Sequence, residues 1–423
     1  MGLQKNNLVL YLNTRSLLLE RNQEFNAARK AGLDVVIVAP SAAPYRNYKI
    51  EHFIETPLGN YKIAQEAIIN YLRSNNLKIT GVVAWGDKEV ELAARVGTTL
   101  GLASTPVEAS RNVRNKARTR QLLEQLGAVN PKYAIIRDYK SFREGLEAIG
   151  VPCLLKPSGA SGGRGIFKID SYENADSIFK EFIEYCVPSR DEIYSYFSEK
   201  LLLEENLSGT EHSIAGIVAD NQVILLAIAD KKIDKKVPFQ YQNIIPSKLS
   251  YEIQNKVKKI ATYAVKLMGI NWCGFHIDFI VNEQGIKILE IGGRLGGECI
   301  NSHLIPLSYS QLHPYDLLLQ VVQGNNPFTK SDFIHDSINQ AGLRAFFPAN
   351  PGRIVRLEGL EKVKNHSSTR EFLQLKQLND RVVLPSVQMD GYAVAYVVAQ
   401  CDSLANMENI LEETASLVRI ETE

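Results

Sequence analysis

The chain has 423 residues, enough for two or three domains at roughly 150 residues each. Lys and Arg number 48 against 47 Asp and Glu, so the net charge is +1; no overall field holds a nucleic acid or an anionic membrane, and any anion site must be local. Hydrophobic residues at 45% and charged residues at 22% exclude a disordered or fibrous chain.

The apolar run near the N-terminus is broken by Asn13 and Arg15, unlike a signal peptide or membrane anchor. Asn6 stands where myristoylation after Gly2 would need Ser or Thr, and no apolar stretch reaches the ~18 residues that span a bilayer. The five cysteines (Cys153, Cys186, Cys273, Cys299, Cys401) are scattered and form no CxxC pair, so free thiols are expected rather than a zinc site or disulfide framework. The expected location is cytoplasmic.

The first hundred residues alternate strand-like and helix-like stretches. LVLYL (8–12) is apolar, 16–31 has helical spacing, and DVVIVAP (34–40) is β-branched and ends at a proline. A second helical stretch precedes GVVAW (81–85), and Gly86-Asp87 then open a helix through EVELAARVGTTLG. This alternation predicts a parallel sheet covered on both faces. Ligands in such sheets lie beyond the carboxyl ends of the strands, where Gly86 and Asp87 fall. The first strand–helix junction lacks GxGxxG, which argues against a Rossmann dinucleotide site, and the chain has no GxxxxGK(S/T) P-loop.

From about residue 113 the pattern changes. A basic helix (RNVRNKARTRQLLEQLG) leads to a short strand, YAIIRD, and PCLLKP then runs into SGASGGRG. Two hairpins follow: SIAGIVADNQVILLAIAD turns at Asp220-Asn221, and FHIDFIVNEQGIKILEIGG turns around Glu283, Gln284 and Gly285. Antiparallel hairpins predict an α+β unit distinct from the opening layer. After about 335, AGLRAFFPANPGRIVRLEGLEKV, the strand GYAVAYVVAQ and a terminal helix close the chain, with no internal repeat.

Three features carry chemistry. The strand PCLLKP presents Lys156 at its end, followed by Ser158, Gly159, Ser161, Gly162, Gly163 and Gly165. Glycines let backbone amides approach an anion and serines add donors, so the loop suits a flap over phosphates as well as a plain glycine-rich hairpin. In LLLEENLSGTEHSIAG, Glu204 ends an apolar strand and Glu211 lies seven residues on. Free backbone at that strand end can pair with an adenine edge, and the carboxylates can reach a base amine and ribose hydroxyls; solvated turn carboxylates are the plainer alternative. In HIDFIVNEQGIKILEIGGRLGGE, Asp278 and Glu290 sit on two arms of one hairpin, and a turn near Gln284 sets them almost opposite. Facing carboxylates repel unless a cation lies between them, and hard oxygen ligands suit Mg²⁺; salt bridges to Lys287 or Arg294 are the alternative. Arg294, in a glycine-flanked stretch, could grip phosphate oxygens in bidentate fashion.

The order of these features, with Lys116 ahead of them on the basic helix, resembles the ATP-grasp superfamily over roughly residues 1–335. The resemblance implies a multidomain α/β and α+β chain of ATP-grasp architecture. Its expected parts are an N-terminal α/β domain (1–112), a lid subdomain (113–203), the ATP-grasp core (204–335) and a C-terminal α+β subdomain (336–423). It further implies ATP bound by Lys116, Lys156, Ser161, Gly162, Gly163, Gly165, Glu204, Leu207 and Glu211. Mg²⁺, with Mn²⁺ as a substitute and two ions the expected number, would be held by Asp278 and Glu290. Many members carry Glu-x-Asn at the last metal position, whereas Glu290 is followed by Gly292 here, so other groups must complete the metal shell.

The pattern ExxxRxGGE, with GLRAFFPANPGRIVRLEGLE, looks most like the L-amino-acid ligase branch. The implied reaction joins two free amino acids through an acyl phosphate, with Arg294 and His276 as catalytic candidates; a structural role for His276 is the alternative. Arg294, Gly296, Gly297 and Glu298 are substrate candidates. Glu298 would favour a basic first substrate unless it caps the following helix or holds an α-ammonium group. Expected partners are small amino acids, with neither nucleic acid nor membrane, and a homodimer is compatible with the reading. The competing readings are a biotin- or purine-type carboxylase, which would make carboxyphosphate in the same ATP site, and a non-catalytic nucleotide-binding module.

Overall fold

A computed structural model describes residues 7–195, 201–234, 236–237, 239–328, 339–385, 388, 391–402 and 406–423. The opening strands β1 (Leu8–Leu12), β2 (Asp34–Ala39), β3 (His52–Glu55) and β4 (Ile79–Ala84) form a parallel sheet in the order β3-β2-β1-β4. Successive residues of a strand point to opposite faces, and here both faces are apolar. Val9 and Tyr11 pack with the helix Leu18–Lys30, while Leu8, Leu10 and Leu12 pack with Ile68 and Leu72 of Tyr61–Ser74 and with Leu92 and Val96 of Val90–Leu100. The doubly covered sheet is as expected; β3 has no clear signal in the sequence because it is four residues long and half-buried.

The basic stretch is two helices. Asn115 breaks it: its extended backbone ends Val107–Arg114, and its side-chain oxygen accepts from the N–H groups of Ala117 and Arg118 to start Lys116–Leu123. That corner puts Lys116 on the first turn of a new helix. Strands β5 (Tyr133–Ile136), β6 (Cys153–Pro157), β7 (Phe167–Ile169) and β8 (Leu201–Glu205) then make an antiparallel sheet ordered β5-β8-β6-β7, with β8 running across the expected 203/204 boundary.

The core is an eight-stranded sheet. Its members are β9 (Thr210–Ala219), β10 (Gln222–Ile233), β11 (Gln240–Ile245), β12 (Cys273–Asn282), β13 (Gly285–Gly292), β14 (Gln340–Phe346), β16 (Thr369–Gln374) and β18 (Ala395–Cys401), ordered β13-β12-β9-β10-β11-β14-β18-β16. Three further strands, β15 (Gly352–Glu358), β17 (Arg381–Val382) and β19 (Arg419–Thr422), form a separate small sheet. The 335/336 boundary lies outside the described residues, and beyond it β14, β16 and β18 extend the core sheet. One face of the core sheet packs on the helix Tyr251–Met268. The turn at Asp220-Asn221 is where the sequence puts it, both residues having positive φ (49° and 61°).

All five cysteines are free. No helix among the described residues is long and apolar enough to cross a membrane.

Candidate active site

Two β-bulges set the register of the site. The β12–β13 turn falls between Glu283 and Gln284, and uninterrupted pairing from there would set Asp278 against Leu289. A bulge between Asp278 and Phe279 shifts the count by one, and Asp278 faces Glu290. On β9–β10 a bulge between Leu225 and Ala227 likewise sets Lys231, rather than Asp230, opposite Glu211. Because β12 also pairs with β9, these residues share one patch of sheet.

Lys231 is the buried centre of that patch. Its ammonium is 2.8 Å from Asp278 Oδ2 and 3.3 Å from Glu211 Oε1, with the side chain 6% exposed. Burial raises the Asp278 carboxyl, but Lys231, together with His276 and Ser213, offsets it and holds the group below the usual range. Glu211 has the opposite balance, burial leaving its pKa raised. Across the hairpin, Glu290 Oε2 is 3.2 Å from Lys116 Nζ. The facing carboxylates are thus each turned to a lysine, and among the described residues no three His, Cys, Asp or Glu side chains converge as a ligand set. The donor set nevertheless fits a hard cation: two carboxylates opposed across one strand pair, each already neutralised by an ammonium that a divalent ion could replace.

Lys156 and Glu204 were expected to meet a nucleotide separately; the structure pairs them. Lys156 Nζ lies 2.5 Å from Glu204 Oε2, and Arg120 Nε donates to Glu204 Oε1 at 2.7 Å. Burial alone would raise Glu204, yet these two cations bring it down to about 2. Both of its carboxylate oxygens are thus paired within the protein, so the expected contact with a base amine would have to share them. The strand-end backbone remains: Leu207 N–H has no hydrogen-bond partner among the described residues.

The glycine-rich loop after β6 lies against the Asn115 corner. Lys116 N–H donates to Ser158 O (2.9 Å), Lys116 Nζ to Ala160 O (2.6 Å) and the Arg114 guanidinium to Gly159 O (2.9 Å). Ser161 is buried, whereas Gly162 and Gly163 are exposed at the tip; with Gly165 they have φ of 65°, 72° and 70°. Arg164 returns to Ser161 O and pairs with Asp191, which also takes Lys88 from the β4 side at 3.4 Å.

Arg294 is held by the N-terminal layer. Its Nε and one terminal nitrogen fork onto Asp87 at 3.1 and 2.6 Å, so the edge expected to grip phosphate bidentately is occupied, and the other terminal nitrogen donates to Leu295 O. The Arg294 fork holds the Asp87 carboxyl far below the usual range against its burial. His276 is buried with Nδ1 3.1 Å from Arg294 O, and burial followed by the Arg294 charge lowers its pKa, keeping the ring neutral. The expected close approach at Gly296 and Gly297 is made by the protein's own side chains. Arg15 donates to Leu295 O and Gly296 O, and a Cβ at 297 would lie 2.9 Å from its guanidinium.

Glu298 opens to solvent in the cleft with φ of 59°. Its carboxylate and its carbonyl accept from Asn243 at 3.4 Å, and the next N–H, of Cys299, donates to Glu20. The cleft walls push its pKa up to about 7, with Lys231 opposing. Because the group also faces water, that shift acts less strongly than it would in a closed core.

Sequence reasoning missed Lys231, Arg120 and Arg15. Lys231 had one signal, a lysine pair ending an apolar strand, but a count without the bulge places the repelling Asp230 opposite Glu211.

A strand-borne lysine before a glycine-rich loop, and opposed carboxylates on an antiparallel hairpin beside it, are the features by which the chain resembles an ATP-grasp protein. Residues 149–302 match the ATP-grasp domain, so the chain carries an ATP-grasp domain over that stretch. The chain is similar to alanine–anticapsin ligase of Bacillus subtilis (strain 168), 28% identical over 212 residues, 47% of this chain and 44% of that protein. It thus spans less than half of that ligase. The uncharacterized protein y4rH of Sinorhizobium fredii is 26% identical over 97% of this chain and 82% of its own length. The crystal structure of L-amino acid ligase from Bacillus licheniformis superposes over the whole of both chains with a TM-score of 0.80 at 19% identity, which shows a shared fold.

Proposed function

We propose that the protein is an ATP-dependent carboxylate–amine ligase that joins free L-amino acids into a dipeptide, releasing ADP and phosphate. The observation that carries this reading is the bulged hairpin that opposes Asp278 and Glu290, each neutralised by a lysine, beside the Lys156 strand and its glycine-rich loop. The ligases among its relatives support the reaction class.

In this reading a substrate carboxylate oxygen attacks the γ-phosphorus, the bond to the β-phosphate oxygen breaks and ADP leaves. An amine nitrogen then attacks the acyl carbon, phosphate departs and the amide nitrogen gives up its proton. Lys116 and Lys156 turn their ammonium groups to phosphate oxygens, and the backbone of the 158–165 loop covers them against water that would hydrolyse the acyl phosphate. Leu207 N–H meets the base edge and Glu211 the ribose. Arg294, kept in place by Asp87, offers its remaining N–H groups to charge developing on the carboxyl and phosphoryl oxygens. Mg²⁺ held by Asp278 and Glu290, with Mn²⁺ as a substitute and two ions expected, would neutralise the transferring phosphates. Glu298, accessible in the cleft, sets a preference for a basic first amino acid. The four segments 1–112, 113–203, 204–335 and 336–423 would act as N-terminal layer, lid, catalytic core and C-terminal subdomain.

The test is ADP release from Mg-ATP with the twenty amino acids, singly and in pairs, against bicarbonate. Turnover that needs two amino acids supports the ligase. Turnover stimulated by bicarbonate alone supports a carboxylase, and none under any condition a binding module.

A further inference from the structure

His276 and Gly292 face each other across β12 and β13. The imidazole lies directly over the glycine: a Cβ at 292 would fall deep inside contact distance of Cε1, 2.5 Å from Nδ1 and 3.1 Å from Nε2. Gly292 does not have positive φ, so its backbone would accept any residue. What requires glycine is the space. Gly296 closes the other side, where a Cβ would stand 3.4 Å from the His276 Cβ.

The ring is also oriented. A carbonyl accepts only from an N–H, so Nδ1 carries the proton donated to Arg294 O, and in that tautomer Nε2 is the nitrogen with the lone pair. The His276 ring makes no other hydrogen bond among the described residues. It shares a strand face with Asp278, two residues on, and faces the strand that carries Glu290 two residues before Gly292.

We propose that His276 is a positioning residue that stands in for the side chain absent at 292: its ring fills that space, anchors the Arg294 backbone and presents Nε2 as an acceptor beside the Asp278–Glu290 pair. The inference rests on the metal site proposed above. Histidine 276 and glycine 292 then form one unit, and neither can be exchanged without the other.

The test is Mn²⁺ binding to the full chain with a non-hydrolysable ATP analogue, read from the electron paramagnetic resonance of free Mn²⁺. Asp278→Asn reports on the metal site itself. His276→Leu keeps bulk without the acceptor and should weaken Mn²⁺ about tenfold, as loss of an outer-shell partner does, with little change in melting temperature. Gly292→Asn alone should weaken it at least as much, because the amide and the imidazole compete for one space. His276→Ala/Gly292→Asn should recover most of the loss. Wild-type affinity in His276→Leu, or a double variant no better than His276→Ala, overturns the inference while a weakened Asp278→Asn leaves the metal site standing. Unchanged affinity in Asp278→Asn overturns both. Should the double variant not fold, His276→Gln, which retains an acceptor, must bind better than His276→Leu or the inference fails.

Discussion

Replacing Lys231 with methionine removes the cation on which the site's carboxylates converge while keeping most of the volume. Asp278 at 2.8 Å and Glu211 at 3.3 Å lose their partner, and Glu298 loses the charge that opposes its raised pKa. Breaking a buried pair by deleting one member costs about 3–5 kcal/mol, because the remaining charge is uncompensated. Asp278 and Glu211 are 23% and 22% exposed, so solvent screens part of that cost and the low end, about 3 kcal/mol, applies. At about 2–4 °C per kcal/mol for a folding unit of 150–250 residues, Lys231→Met should melt about 6–12 °C below wild type in EDTA. The cation then discriminates. In the wild type an entering Mg²⁺ must displace an ammonium from Asp278, whereas in the variant it meets unpaired carboxylates. At a hundredfold excess over Kd a bound ion adds about 2.7 kcal/mol, nearly the whole loss. Thermal scans with and without Mg²⁺ should therefore show a large response in Lys231→Met and a smaller one in the wild type. Equal responses, or a variant that melts with the wild type in EDTA, would refute the reasoning.

Asp87→Asn keeps the shape of the Arg294 partner but not its charge, and kcat/KM should fall at least tenfold, about 1.4 kcal/mol of barrier; wild-type turnover would show that Arg294 needs no orienting charge. Glu298→Gln should cost at least about tenfold more kcat/KM for arginine or lysine than for alanine, and an equal loss for all would assign Glu298 to the α-ammonium group instead. Glu24, fully buried beside Arg15, has a carboxyl that burial pushes up to about 8. An acid raised in the folded state holds a proton that the unfolded chain releases, so stability is highest below about pH 4.3 on this account and falls as pH rises toward 8. Unfolding free energies from urea titrations at pH 6 and 8.5 should differ less in Glu24→Gln than in the wild type, by on the order of 3 kcal/mol, and parallel pH slopes would remove Glu24 as the cause.

The layers of the fold were legible because their signals are local. Strand–helix alternation through residue 100 and the Asp220-Asn221 turn need only neighbouring residues to be read. The Asp278–Glu290 pairing came out through two compensating displacements: the turn lies half a residue earlier than a count centred on Gln284 assumes, and the bulge at Asp278 restores the register. Lys231 had no such compensation, since its bulge is invisible in the apolar run LLAIA. Arg120, Arg15 and the role of Asp87 depend on contacts 84, 280 and 207 residues away, which no spacing rule reaches. The Asn115 break was written in the sequence as a capping residue, but continuous basic charge on both sides masks it.

The five ion pairs of the site also say which partners can change. Buried pairs contribute little to stability compared with apolar packing, so their presence here calls for another reason. Glu204, Glu211, Asp278 and Glu290 are each matched by Lys156, Lys231, Lys116 or Arg120, and these eight charges balance without a ligand. In the proposed function, a polyphosphate arriving with a divalent cation would let the same groups exchange: ammonium to phosphate, carboxylate to metal, with no charge left bare. Lysine suits that exchange, because its charge rides on a flexible four-carbon stem. Arg120 does not. Its guanidinium is 1% exposed, forked on Glu204 and tied to Leu289 O at 2.7 Å, and so it stays when Lys156 turns to a phosphate. Glu204 then remains neutralised without the metal. In the proposed function its work is to hold the Lys156 ammonium at the end of β6 until a phosphate replaces it, and Arg120 would allow that release without stranding a carboxylate in the core.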